Sequence, residues 1–159
     1  MAIDYFLRID GVPGESIDDK HKGEIDVEAW SWGESNPRPP EGVGGGAGKV
    51  EVQDFNVTSK ISKASPALLR ACASGKHFKS AVLTARKAGK PPAEFLTFSL
   101  SDVLVSYYQA GGSEAEVVPT DSFALNFSKI QVEYKVQKAD GSLGTSIKAG
   151  WDVKQNKSF

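Results

Sequence analysis

The stretch Asp121–Gln137, DSFALNFSKIQVEYKVQ, decides how this chain folds. Phe123, Leu125 and Phe127 share one side of an extended backbone, and Asn126 and Ser128 take the other. Then the phase changes: Ile130, Val132, Tyr134 and Val136 carry the apolar set, displaced by one position. Side chains on a strand repeat every second residue, so a one-residue slip sends the apolar set to the opposite face. A strand that stays half buried through such a slip contains a bulge, or a corner that carries it from one wall of a barrel to another. The sequence predicts that corner near Ser128–Lys129.

The same signature recurs along the chain. Ile25, Val27 and Ala29 give way to Trp30 and Trp32, a slip near Ala29–Trp30. Val50 and Val52 give way to Phe55 and Val57, and Leu96, Phe98 and Leu100 to Val103, Val105 and Tyr107. Ile3, Tyr5, Leu7 and Ile9 form a first strand, ended by Asp10-Gly11 and Pro13-Gly14. Glu15–Gly23 and Lys87–Pro92 read as loops, Phe78–Arg86 as a strand, and Gln109–Glu116 as a Gly-rich, acidic connector. Asp140-Gly141 signals a hairpin into a last strand with Ile147, Ala149, Trp151 and Val153, paired with the second half of the opening stretch. One helix stands out: Ser65 as N-cap, Pro66 at the first helical position, Ala67–Ser74 as its body and Gly75 as its stop. Leu68, Leu69 and Cys72 are expected on its inner face. The expected fold is mostly β: a small curled β-barrel with bulged strands and one short α-helix packed on its side, a single domain over 1–159.

The 159 residues are enough for a sizeable core. Lys+Arg 19 against Asp+Glu 20 leaves a net charge of -1, which argues against a nucleic-acid partner and puts up little repulsion between copies. With Cys72 as the single cysteine there is no intrachain disulfide, and it is expected to pack in the core. The opening MAIDYFLRIDG lacks the basic and apolar regions of a secretory signal, and no run suits a transmembrane helix. Cytoplasmic synthesis without membrane insertion is the expectation, so export would need a dedicated machine.

Several stretches imitate chemistry. Gly48-Lys49 ends a glycine-rich run, but a phosphate loop needs Gly where Val43 stands, Ser or Thr where Val50 stands, and a helix instead of the strand that follows. His21 and His77 lack partners at ligand spacing and read as surface residues. Ser99, Ser101 and Asp102 make no nucleophile elbow. Asp18-Asp19 and the pair Glu24 and Asp26 read as solvated faces. No catalytic, metal or cofactor-binding residues are assigned, and a non-enzymatic protein is expected. The remaining oddity is Glu34–Lys49, ESNPRPPEGVGGGAGK, where no regular element is expected and which is long for a structureless loop.

The order of motifs resembles a known family. Phe6-Leu7-x-Ile9, Gly11, Gly14-Glu15-Ser16, His21-Lys22, Ile25-Asp26-Val27 and Ala29-Trp30-Ser31-Trp32-Gly33 are similar to the start of Hcp proteins of bacterial type VI secretion. Gly48-Lys49-Val50, Asp54, Ser65-Pro66, Cys72 and Ser74-Gly75-Lys76-His77 continue the likeness. Leu125-Asn126-Phe127, Tyr134, Gln137-Lys138-Ala139-Asp140-Gly141 and Gly150-Trp151-Asp152-Val153-Lys154-Gln155-Asn156 extend it nearly to the end. The resemblance implies a plain tube subunit. Such a subunit closes into a homohexameric ring, and its rings stack into a hollow tube inside a contractile sheath behind a spike. It is exported with the shot and carries effector proteins in its bore.

A ring needs a heterologous contact that closes, and a tube needs a second contact that does not. The arm Glu34–Gly48 is the expected stacking contact, through Pro39, Pro40, Glu41, Val43 and Gly45. Trp30 and Trp32 are expected to pack in the core or an interface. Ser31, between them, faces the other way and is the candidate lumen residue touching effectors.

Overall fold

In the computed structural model, which describes residues 2–37 and 49–159, alternation becomes strands in chain order. These are β1 (Ile3–Ile9), β2 (Ile25–Ser31), β3 (Glu34–Ser35), β4 (Glu51–Val52) and β5 (Phe55–Lys60), then helix α1 (Ala64–Ser74). β6 (His77–Lys87), β7 (Ala93–Gly111), β8 (Thr120–Asn126), β9 (Lys129–Gln137), β10 (Leu143–Asp152) and β11 (Lys157–Ser158) follow. Neighbours run β7-β6-β1-β2-β5-β8, and β8 pairs back onto β7, which closes a barrel of six strands. β9, β10 and β11 continue outward from the first half of β7 as a flap that is not part of the closed wall.

The corner in the opening stretch falls where expected, between β8 and β9, and its cause is shared. β7 pairs with β9 through Leu100↔Ile130 and Ser101↔Lys129, and with β8 through Leu104↔Asn126 and Val105↔Leu125. That is one unbroken register. The Ser128 N–H bridges the bend by donating to the Ser101 carbonyl at 2.9 Å. On β7 the bend sits at Asp102, whose φ of 53° is left-handed. The slips read separately at Leu100/Val103 and Phe127/Ile130 are thus one corner seen from its two strands. Both flip together, so pairing survives while each strand changes wall.

The slip near Ala29–Trp30 is a bulge between Val27 and Ala29 in the pairing of β2 with β5. The slip between Val52 and Phe55 is instead a break, because β4 and β5 belong to different sheets. Glu34 and Ser35, expected in a structureless arm, pair with Val52 and Glu51 as a short ribbon. β7 runs on to Gly111, so the acidic connector begins later than expected, and β11 follows the strand expected to be last.

Phe55, Val57, Leu83, Val103, Val105, Phe123 and Leu125 fill the barrel, each at most 2% exposed. The helix lays Ala64, Leu68 and Ala71 against it, a stripe at helical spacing. Leu69, expected beside them, is 56% exposed, because it lies one position round from that stripe. Gly75 ends the helix at φ 68°, its N–H donating to the Ala71 carbonyl at 3.0 Å. Ser65 is not the N-cap: the cap position is Lys63, and Ser65 lies inside the first turn. Its hydroxyl reaches the carboxyl of Asp121, which also accepts from the Tyr108 hydroxyl at 2.7 Å. Asp121 is 1% exposed, so this buried group pins the helix to β8 and β7.

Candidate self-association surface

Across the flap the pairing sets apolar side chains in rows on one face. The first row is Ala81, Leu100, Ile130 and Trp151; the second is Leu83, Phe98, Val132 and Ala149; the third is Ala85, Leu96, Tyr134 and Ile147. Cross-strand partners share a face, so these rows continue the barrel's core face beyond its wall. Burial fades along them. Ala85 is 1% exposed at the wall, whereas Tyr134 is 44% and Ile147 59% exposed at the far end. Val136, also on this face, is 42% exposed.

The other face is built for water. Glu133 accepts from the Ser146 hydroxyl at 2.6 Å and pairs with Lys148 at 3.6 Å, while Lys129 pairs with Asp152 at 3.9 Å. The Ser146 hydrogen bond, with Lys148 and Lys135 nearby, holds the Glu133 carboxyl below its usual range. At the root of the apolar face, Trp32, Phe98, Ile130, Val132, Ala149 and Trp151 line a hollow of about 340 Å³. The indole N–H of Trp151 is buried with no acceptor among the described residues. β11 pairs with Trp151 and Asp152 on the outer edge of β10, and the Phe159 N–H donates to the Gly150 carbonyl at 3.3 Å, so Leu143–Ala149 offers an unpaired strand edge among the described residues.

The two tryptophans expected in packing are there. Trp30 stacks on Phe55 with centroids 5.6 Å apart, and Trp32 tilts against Phe98 and Phe127 at 6.3 Å. The Trp32 N–H donates to the Gln53 carbonyl at 2.8 Å. Ser31 lies between them on the outward face of β2, exposed and paired in register with Asn56. Pro39, Pro40, Glu41, Val43 and Gly45 lie outside the described residues. Cys72 is partly buried against the core.

His77 is exposed and pairs with Asp102 at 2.9 Å. That contact, with Lys154 beside it, draws the Asp102 carboxyl below its usual range. His21 differs from its surface reading. It is 7% exposed, stacked on Phe6 at 4.3 Å, and its two ring nitrogens meet Glu24 and Glu94. A charged stretch of loop suggested solvent, but Phe6 and Glu94 are distant in sequence, and local pattern does not reveal them.

Opposite the flap, Ile25, Val27, Lys60, Ile61 and Val118 line a second hollow of about 540 Å³ beside β2 and β5. β2 stands three strands from β7 in either direction round the barrel. No group of His, Cys, Asp and Glu able to hold a metal ion occurs among the described residues. None of their helices is long and apolar enough to cross a membrane.

Residues 6–134 match the family model described as Type VI secretion system effector, Hcp. The chain belongs to the Hcp family of type VI secretion. This Hcp chain is 50% identical over 159 residues to Protein hcp1 of Pseudomonas aeruginosa, covering 98% of each. It superposes on the crystal structure of Hcp1 from Salmonella typhimurium with TM-score 0.83 at 39% identity, over 100% of both chains. A structure titled as a type six secretion system protein gives TM-score 0.93 at 30% identity, over 99% of this chain and 100% of the other. The family and the barrel expected from sequence are therefore both present.

Proposed function

We propose that this Hcp chain is a structural, non-enzymatic tube subunit. It closes with copies of itself into a six-membered ring, stacks ring on ring, and is exported with effector proteins held in the bore. The observation that carries this reading is the apolar face of the flap, which no described residue covers. A two-faced sheet extension with charged groups on one side and Tyr134, Val136 and Ile147 open on the other calls for a protein cover. A cyclic assembly joins two different faces of each copy, and the flap and the hollow beside β2 and β5 stand on opposite sides of the barrel. The flap face of one copy seats there on the next. Type VI sheath and spike proteins meet the assembled tube, not the single chain. The subunit is made in the cytoplasm, leaves through the secretion machine, and has no nucleic-acid partner.

Light scattering on a sizing column tests the ring: the expected mass is roughly six times the 17.0 kDa chain. A single copy at every concentration overturns the reading. The variant Tyr134→Lys with Ile147→Lys keeps the fold and runs as one copy. Stacking is assigned to 39–46: removing Pro39–Gly46 leaves rings intact but stops tubes, and micrographs with normal tubes refute that. Ser31 is assigned to the bore; a client that co-purifies undiminished with Ser31→Gln argues against it.

A further inference from the structure

The loop between β1 and β2 is fastened in two different ways. Its base is held mainly by backbone: the Gly14 N–H donates to the Gly23 carbonyl at 2.7 Å, and the Ser16 N–H to the Glu24 carbonyl at 2.9 Å, with the Glu15 carboxylate accepting from the Lys63 N–H at 2.9 Å. The two arms approach so closely that a Cβ on Gly14 would lie 2.3 Å from the Glu24 oxygen. The tip is held by side chains. Arg86 of β6 clasps Asp18 with both terminal nitrogens, at 2.8 and 2.7 Å, and reaches Asp4 of β1 at 3.4 Å. His21 stacks on Phe6 of β1 with the rings 6° from parallel.

The ring nitrogens of His21 carry the argument. Nδ1 lies 2.9 Å from a Glu24 oxygen and Nε2 2.5 Å from a Glu94 oxygen. An ionised carboxylate only accepts, and a neutral imidazole has one N–H. Both contacts form together only when the ring carries two protons. We propose that the loop tip is a pH-gated latch, closed by the doubly protonated imidazole of His21 bridging Glu24 and Glu94, and freed when that ring loses a proton.

The surrounding groups agree. Glu24 lies on the loop's own return, Glu94 on β7, Asp18 on the loop, Asp4 on β1 and Arg86 on β6. Burial disfavours the charged ring, but its hydrogen bonds to the Glu94 and Glu24 carboxylates outweigh that, so the group titrates above its usual 6.5. Asp18 and Arg86 stay charged throughout that range, since the guanidinium draws the Asp18 carboxyl down to about 2. The gate therefore has one titrating member. A raised value in the closed state means the latch holds fully below the free histidine's value and weakens as pH rises through the closed one. Of the two carboxylates Glu94 is the more exposed, at 38% against 13%, so it lets go first. Opening lifts the His21 side of the tip off Phe6, while the Arg86–Asp18 clasp stays closed.

Isotope-labelled histidine in the full chain tests this, with His77→Gln assigning the two rings. The expected spectrum has both His21 nitrogens protonated at pH 6.5, with one proton lost as pH rises further, and Glu94→Gln moves the midpoint down. Trypsin cutting after Lys20 and Lys22, scaled to a free peptide of the same sequence, rises by up to about tenfold per pH unit between the open and closed values. His21→Phe keeps the stack and is cut at a high rate independent of pH. If that variant does not fold, Glu94→Gln still decides. A singly protonated His21 at pH 6.5, or loop cleavage insensitive to pH in the native chain, overturns the proposal.

Discussion

The closed wall and the flap are written in the same alternating pattern but end in different environments. In β8, Phe123 and Leu125 are at most 1% exposed, whereas in β9 Tyr134 and Val136 are 44% and 42% exposed, though both strands lie along β7. The difference is coverage. β8 closes onto β5 and α1 packs nearby, while on the far flap the apolar rows run out of partners among the described residues. Alternation tells which side of a strand is apolar; it does not tell whether this chain or another covers that side.

The comparison breaks hardest in the barrel. Phe55 is fully buried and touches Trp30 and Phe98 at 5.6 Å. Phe55→Ala removes a ring from a packed site and leaves a cavity, and is expected to cost about 3–5 kcal/mol in urea unfolding. A smaller loss would mean that the aromatic cluster collapses into the gap. The next effect is at Asp121. Asp121→Ala strips Tyr108 of its acceptor and Ser65 of one partner in a buried place, at a cost of about 1–3 kcal/mol. Burial and then the Asp121 hydrogen bond push the Tyr108 hydroxyl up to about 12. In the variant it ionises at lower pH, which phenolate absorbance during an alkaline titration reads directly. Tyr108 titrating unchanged would remove Asp121 from its account. Because its folded value is raised, the stability it contributes is present below pH 10 and lost as pH rises through about 12.

Much of this architecture was legible in the sequence because a corner leaves a mark that alternation records. Phe127 and Ile130 cannot both be buried on a straight strand, and Leu100 and Val103 cannot either. What the pattern could not say is that the two marks were one corner, since that depends on which strands pair. Ser65 was misplaced because the chemistry that caps a helix also suits a buried hydrogen bond to Asp121. His21 was misplaced because its neighbours Asp18, Asp19, Lys20 and Lys22 are soluble, while its true surroundings come from β1 and β7. Ser31 was legible as outward-facing, but its face alone does not name what it meets. The open apolar face of the flap leaves no mark of its own: Tyr134 and Ile147 look like ordinary strand residues until the sheet order shows that nothing in the described chain covers them.

The smallest expected effect on folding is also the sharpest test of the contrast. Ile147 is 59% exposed on the apolar side of β10, so the single chain gains little from it. Ile147→Ser should shift unfolding of the separated subunit by about 0.5 kcal/mol or less, the range of an ordinary surface change. If copies cover this face, the same substitution removes a buried anchor from every contact in the assembly, and each contact then loosens by about 1 kcal/mol or more. Dilution followed by light scattering reads the second quantity, and urea unfolding of the dissociated chain reads the first. Folding nearly unchanged with assembly weakened means the flap's apolar rows were selected for a neighbour. The reverse result, a destabilised single chain with assembly intact, means that the flap folds onto its own barrel and that its exposure does not mark an interface.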